Sequence, residues 1–321
     1  MNPFWNREER RPRAFWRIFA ELLLRLGLLI GLVHLLRLGA LTLGLPVPTD
    51  PGWKAFLHSF SPDRPTSQPL IQGVEMAASL LSALVATRLL DHRPLARLGF
   101  SLRARQWWLD LAFGLAAGVL AIGGILLCQL ALGQVRFVGW FLPVAGGSSL
   151  SSWLAWGLAA CLFNSLEEEV SDGRAYLILN ATEGLSGTRL GPRGALLTAA
   201  LLGSTMFGLA HYPGNGLAVA LGTGLFGALL AVSYLLTGEL AIAIGLHVTW
   251  NFAQINLVNL SENPEAPIPT ILAVRAPGGA SPEASALDLV GVGLGLALTL
   301  AWVRLTRGSL ALSGALLPRP D

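Results

Sequence analysis

Leu150-Ser-Ser-Trp-Leu-Ala-Trp-Gly-Leu-Ala-Ala-Cys-Leu-Phe163 is almost wholly apolar. It runs into Asn164-Ser-Leu-Glu-Glu-Glu-Val-Ser-Asp-Gly-Arg174 before apolarity returns at Ala175-Tyr-Leu-Ile-Leu179. A charged side chain at the centre of a bilayer costs roughly 2.5–3.5 kcal/mol on insertion scales, so such groups pair with one another or line a polar cavity. Three consecutive acids inside an apolar run are therefore read as functional. They also oblige the chain around them to fold as a membrane protein that shelters them.

The composition agrees. Of 321 residues, 53% are hydrophobic and 13% charged, about half the charged share of a soluble domain. The mean hydropathy is +0.59. The net charge of +3 is small and its basic residues fall between apolar spans, so nucleic acid is excluded as a partner. Lys54 is the one lysine. Cys128 and Cys161 both lie in apolar spans, as small hydrophobes rather than a disulfide framework.

An apolar run of about 20 residues spans the hydrocarbon core, and the sequence holds eight: Ile18–Leu45, Leu70–Leu90, Leu109–Leu132, Leu150–Leu179, Ala195–His211, Leu217–Leu236, Leu240–Leu257 and Leu287–Val303. The fold class expected is all-α, a polytopic membrane protein of about eight transmembrane helices. Arginines cluster in alternate connections. Arg7, Arg10, Arg11, Arg13 and Arg17 precede the first span, which is expected to be retained as an anchor. Arg93, Arg97, Arg103 and Arg105 follow the second, Arg189 and Arg193 the fourth, and Arg304, Arg307 and Arg319 the last. The intervening connections hold only Lys54 and Arg64, then Arg136, then Arg275. The positive-inside rule then puts both termini in the cytoplasm of a multi-pass protein of the cell membrane, and an even span count requires the same.

The organisation expected is a basic arm over 1–17, N-terminal helices over 18–149, a core over 150–259, and an outer loop, last helix and cytoplasmic tail over 260–321. Gly114 and Gly118, and Gly291, Gly293 and Gly295, are placed for close helix packing. Gly222-Thr-Gly-Leu-Phe-Gly227 has dinucleotide-motif spacing but no preceding strand, so it is dismissed. Trp107 and Trp108 are expected in an interfacial belt. His34 and Gln129 are expected each to make an interhelical hydrogen bond. The stretch Asn259–Ser285 reads as an external connector.

Three polar groupings remain: the acidic stretch, Phe207-Gly-Leu-Ala-His211, and His247-Val-Thr-Trp-Asn251. In the third, residues four apart share a helix face. A carboxylate beside a neutral imidazole holds a water and takes its proton, and low dielectric strengthens that base. An imidazole with a carboxamide donates hydrogen bonds to a developing oxyanion. These groups suit a hydrolase that attacks a carbonyl with water. Two His and one Glu are also a catalytic zinc set, although no His-Glu-x-x-His is present.

In order and spacing, these residues resemble the signatures of the CAAX-protease and bacteriocin-processing family, whose eukaryotic members are type II CAAX prenyl endopeptidases: Glu-Glu-x-x-x-Arg, Phe-x-x-x-His and His-x-x-x-Asn. The last two patterns match at Phe207/His211 and His247/Asn251, with Arg174-Ala-Tyr-Leu177, Leu235-Leu-Thr-Gly238 and Ile244-Gly-Leu-His-Val-Thr-Trp-Asn-Phe252 in support. The first carries one extra residue. Either Glu168 and Glu169 are the pair, five residues before Arg174 across a π-bulge eased by Gly173, or Glu167 and Glu168 are the pair and Asp172 stands at the arginine position. The first register is preferred because it leads into the matching Arg-Ala-Tyr-Leu.

The resemblance implies an intramembrane endopeptidase. Glu168 and His211 would activate water, His247 and Asn251 would form the oxyanion hole, and Glu169 would pair with Arg174, with Phe207 and Glu167 supporting. This mechanism requires no cofactor; zinc is the metal alternative. The partners would be the lipid bilayer and a peptide or membrane-anchored protein entering a cavity open to the cytoplasm or lipid. The alternative is a catalytically inactive binding or immunity module on the same scaffold. A third reading, a proton-coupled transporter, lacks the expected inverted repeats. One geometric tension stands. At 1.5 Å per residue Glu168 lies ~27 Å along its span from the outer end, and His211 lies ~24 Å along its own from the cytoplasmic end. Either span four begins after Leu150 or the helices tilt.

Overall fold

The computed structural model describes residues 3–6, 9–45, 47, 54, 64–141, 149–172, 174–213, 215–258, 270–275 and 288–318. Gly173, one of the residues invoked above, lies outside them, as do the side chain of Asp172 and most of Asn259–Ser285. Nine α-helices are described: α1 (Ala14–Thr42), α2 (Arg64–Leu89), α3 (Arg105–Ala131), α4 (Leu150–Glu167), α5 (Ala175–Ser186), α6 (Gly191–Ala210), α7 (Gly216–Thr237), α8 (Ala241–Phe252) and α9 (Asp288–Arg307). A π-helical turn, Glu168–Asp172, lies between α4 and α5, and a second, Ala253–Leu257, continues α8. In lipid every backbone polar group must be bonded within the chain, which is why the apolar runs take this form. The protein is an all-α, multi-pass membrane protein.

All eight expected spans are helical, but not all are alike. Six helices among the described residues, α1, α2, α3, α6, α7 and α9, are each long and apolar enough to cross a bilayer. The other two are α4 and α8, and these carry the site. Asn164, Ser165 and Glu167 dilute the apolarity of α4. Helix α8 has only 12 residues before its π turn. Span four is not one helix to Leu179 either, because it breaks after Asp172.

Two small sheets depart from the all-helical expectation. Strands β1 (Trp5–Asn6) and β2 (Arg11–Pro12) form a hairpin ahead of α1. Strand β3 (Arg136–Trp140) pairs antiparallel with β4 (Leu272–Arg275). The second pairing ties the connection after α3 to the one before α9, so these lie at one end of the bundle. At the other end, Arg11 Nη2 and Arg17 Nη2 bond Glu183 of α5 at 2.9 and 2.6 Å, and Arg17 Nη1 bonds Asp91 at 2.9 Å. Arg93 also pairs with Glu183, and burial lowers its pKa to about 10 against the pull of Asp91. The C-terminal segment meets the same end, where Ser313 N donates to Leu235 O (2.8 Å) and Leu240 N to Gly99 O (3.1 Å). The basic arm, the α2–α3 connection and the C-terminal segment are thus gathered at one end of the bundle.

The interior is built on small residues. Helices α3 and α8 approach so closely that a Cβ at Gly114 would sit 2.5 Å from Ile242 O, and one at Gly245 would sit 2.5 Å from Leu111 O. Lipid gives helices no hydrophobic reason to associate, so backbone approach of this kind supplies the packing. Gly291 likewise meets Ile125 of α3, whereas Gly293 faces open space. Gly222–Gly227 lies within α7.

Two smaller expectations are corrected. Trp107 is buried at 5% exposure and donates to Gly99 O, so only Trp108, 54% exposed, stands on the surface. His34 Nδ1 bonds Ile30 O one turn back, within its own helix rather than across to another.

Candidate active site

The π turn is what makes the first motif work at its unusual spacing. Residues five apart on an α-helix point in different directions, but the wider π turn returns them to one face. Arg174 Nη2 donates to Glu169 Oε1 at 2.7 Å, and its Nε lies 2.5 Å from Oε2. Both side chains are fully buried. Arg174 also donates to Gly227 O of α7 (3.2 Å) and lies over the Phe207 ring, 4.6 Å from its centroid.

Glu169 then reaches across to α8. His247 Nδ1 bonds its Oε1 at 2.7 Å, and on the far side of the same ring Nε2 lies 3.3 Å from Glu168 Oε2. An imidazole with a carboxylate at each nitrogen is served on both sides only when a proton also lies between Nε2 and Glu168. The set of Arg174, Glu169, His247, that proton and Glu168 is then electrically balanced.

Asn164, one turn before Glu168, closes the ring of contacts. Its Nδ2 donates to Glu168 Oε1 (3.1 Å) and its Oδ1 accepts from Asn251 Nδ2 (3.2 Å). Sequence reasoning quoted Asn164 only as the edge of the acidic stretch. The signal available was its i, i+4 spacing to Glu168, the same relation that joins His247 to Asn251.

His211 caps α6. Its Nδ1 is 2.8 Å from Phe207 O. A carbonyl only accepts, so Nδ1 carries the hydrogen and Nε2 of the neutral ring keeps a lone pair. Phe207 links the two histidines, its ring lying 4.9 Å from that of His211 and 6.0 Å from that of His247.

Glu168, His211, His247, Asn251, Asn164 and Phe207 line one cavity of about 320 Å³. Glu169 and Arg174 sit behind its wall. Glu167 has Glu75 of α2 and Arg25 of α1 among its charged neighbours and is not part of the lining. The depth tension is therefore met without shortening span four, since α4 does begin at Leu150, capped by Ser149 Oγ accepting from Ser152 N. The lining also includes the first turns of α7 and α9 and the later halves of α3 and α8. The cavity thus occupies the half of the bundle toward β3 and β4. On the positive-inside assignment this is the outer half of the bundle. Among the described residues no group of three or more His, Cys, Asp or Glu side chains converges as a metal site.

A polytopic helical membrane protein with a carboxylate–imidazole cavity at bilayer depth is the class that these features define. Residues 149–253 match the family model described as type II CAAX prenyl endopeptidase Rce1-like. The stretch covers about a third of the chain, and over it the resemblance drawn from the three motifs holds, consistent with the CAAX-protease and bacteriocin-processing family. The match implies a peptidase of a family that acts on protein substrates in membranes. No curated protein and no solved structure matches the chain.

Proposed function

We propose that the protein hydrolyses a peptide bond of a peptide or membrane-anchored protein substrate, using a water activated by Glu168 and His211. The observation that carries this reading is the convergence of Glu168, His211, His247 and Asn251 on one cavity from three separate segments of the chain.

In this scheme the water donates one hydrogen bond to the Glu168 carboxylate and one to the His211 Nε2 lone pair. As its oxygen adds to the substrate carbonyl carbon, its proton passes to this pair. The carbonyl oxygen becomes an oxyanion, which accepts hydrogen bonds from His247 Nε2–H and the Asn251 carboxamide. The C–N bond then breaks, the leaving nitrogen takes the held proton, and a carboxylate and an amine remain. Glu169 and Arg174 act as positioning residues, fixing the His247 ring through Nδ1. Asn164 positions both Glu168 and Asn251. No step passes through zinc. Both termini are cytoplasmic and the protein resides in the cell membrane on this reading, so substrate arrives from the outer half of the bilayer or from beyond it.

The test is cleavage of a peptide library by the purified full-length protein in lipid nanodiscs, comparing wild type with Glu168→Ala, His211→Ala and His247→Ala. Cleavage by wild type alone is the expected result. Undiminished cleavage by all three variants rejects the mechanism, and a wild type that cuts nothing favours the inactive binding module. Loss on chelation with recovery on adding zinc would replace the proton scheme with a metal one.

A further inference from the structure

The cavity has a second carboxylate that the hydrolytic scheme does not use. Asp288 opens α9 and lines the same cavity as Glu168. Among the described carboxylates only Glu167 and Asp288 lack a hydrogen-bond or ion-pair partner, and of these two only Asp288 faces the cavity. An acidic residue in the first turn of a helix is ordinarily explained by the helix dipole. That explanation covers its position in the sequence, but not its place in the cavity lining.

The surroundings suit a cation. Glu169 is paired with Arg174 behind the wall, and Glu168 lies 3.3 Å from His247 Nε2. This leaves Asp288 as the one described carboxylate of the lining without a partner in the chain. Phe226 and Trp250 also line the cavity, their rings 4.5 Å apart and inclined by 34°, and aromatic faces attract ammonium and guanidinium groups. Space beside the carboxylate is open: a Cβ added at Gly222 would meet nothing nearer than Asp288 Oδ2 at 3.8 Å. A half-buried carboxylate is costly alone and favourable with an incoming partner of opposite charge.

We infer that Asp288, with the Phe226–Trp250 wall, forms a subsite for a basic side chain, lysine or arginine, of the substrate. The inference rests on the endopeptidase reading for the identity of the ligand, since a peptide must enter this cavity. Asp288 selects among such peptides by charge and takes no part in the proton transfers.

Two measurements separate this inference from the proteolytic reading. In the first, affinity is measured on Glu168→Gln protein in nanodiscs for paired peptides that differ only by lysine against norleucine. The lysine peptide should bind about tenfold tighter, and the ratio should fall to about one with Asp288→Asn and recover with Asp288→Glu. Equal binding of the two peptides, or a lysine preference that survives Asp288→Asn, overturns the subsite whether or not the wild type cleaves anything. In the second, library peptides cleaved by wild-type protein should be enriched in lysine or arginine at one fixed position from the cut. Cleavage with no such enrichment rejects the subsite and leaves the endopeptidase standing. A lysine preference in binding with no cleavage of any peptide does the reverse.

Discussion

Two buried ionic clusters stand in this bundle, one among the Arg-rich connections and one against the cavity, and they differ in what they leave unspent. At the Arg-rich end, Arg17 is 1% exposed, with Asp91 on one guanidinium nitrogen and Glu183 on the other. Asn180 adds a hydrogen bond to Asp91 (3.2 Å), and Arg11 and Arg93 complete the coordination of Glu183. Its carboxylates are taken up by partners from the basic arm, the α2–α3 connection and α5. In the other cluster Arg174 and Glu169 are just as buried, but the chain of contacts runs on to His247 and Glu168 and stops at an open cavity. A buried charge whose partners all lie within the fold fixes geometry. A buried charge whose last partner faces a cavity has capacity left for a substrate.

This contrast is broken most severely at Glu168. Glu168→Gln keeps an acceptor for Asn164 but removes the base. Peptide cleavage should fall about 10²–10⁴-fold with the melting temperature in nanodiscs unchanged; a variant that cuts normally would show that Glu168 is no more functional than Asp91. Arg174→Met attacks the wall instead of the cavity. It leaves Glu169 buried without its cation, and thermal or denaturant unfolding should show a loss of about 3–5 kcal/mol together with loss of activity. Asn164→Ala is milder. Removing a hydrogen bond to a carboxylate should lower kcat about ten- to a hundredfold, with KM and the unfolding midpoint little changed; equal losses in stability and kcat would make Asn164 merely structural. The smallest effect on chemistry is expected at the other cluster. Asp91→Asn should cost about 1–3 kcal/mol of stability and leave kcat of the folded protein as in wild type, and a kcat that falls with it would erase the distinction between the two clusters.

The legibility of these features in the sequence follows their physical origin. Burial in lipid is a property of a continuous run of residues, so the eight apolar stretches were readable, as was the alternation of arginines that sorts the connections. Phe207/His211 and His247/Asn251 were readable because helical i, i+4 spacing preserves a shared face. Trp107 was misplaced because an interface position and a core position at a helix start look alike in one dimension. Asn164 went unassigned because its significance depends on Asn251, which lies 87 residues away in the chain. Asp288 follows a polar connection and offers no periodic signal of its own.

By itself, then, the sequence determined that the chain is a helical, multi-pass membrane protein, and that its acids, histidines and Asn251 match a peptidase family in order and spacing. Apolar length, helical period and charge bias are local quantities, and local quantities can be read from a string. Only the tertiary structure decided which glutamate faces the cavity. The π turn at Glu168–Asp172 absorbs the extra residue, turns Glu169 onto Arg174 and leaves Glu168 against His247. It also decided that the cavity lies away from the Arg-rich end and takes in Asp288. Those outcomes depend on how α4, α6, α7, α8 and α9 meet in space, and helix packing is set by contacts between residues far apart in the chain.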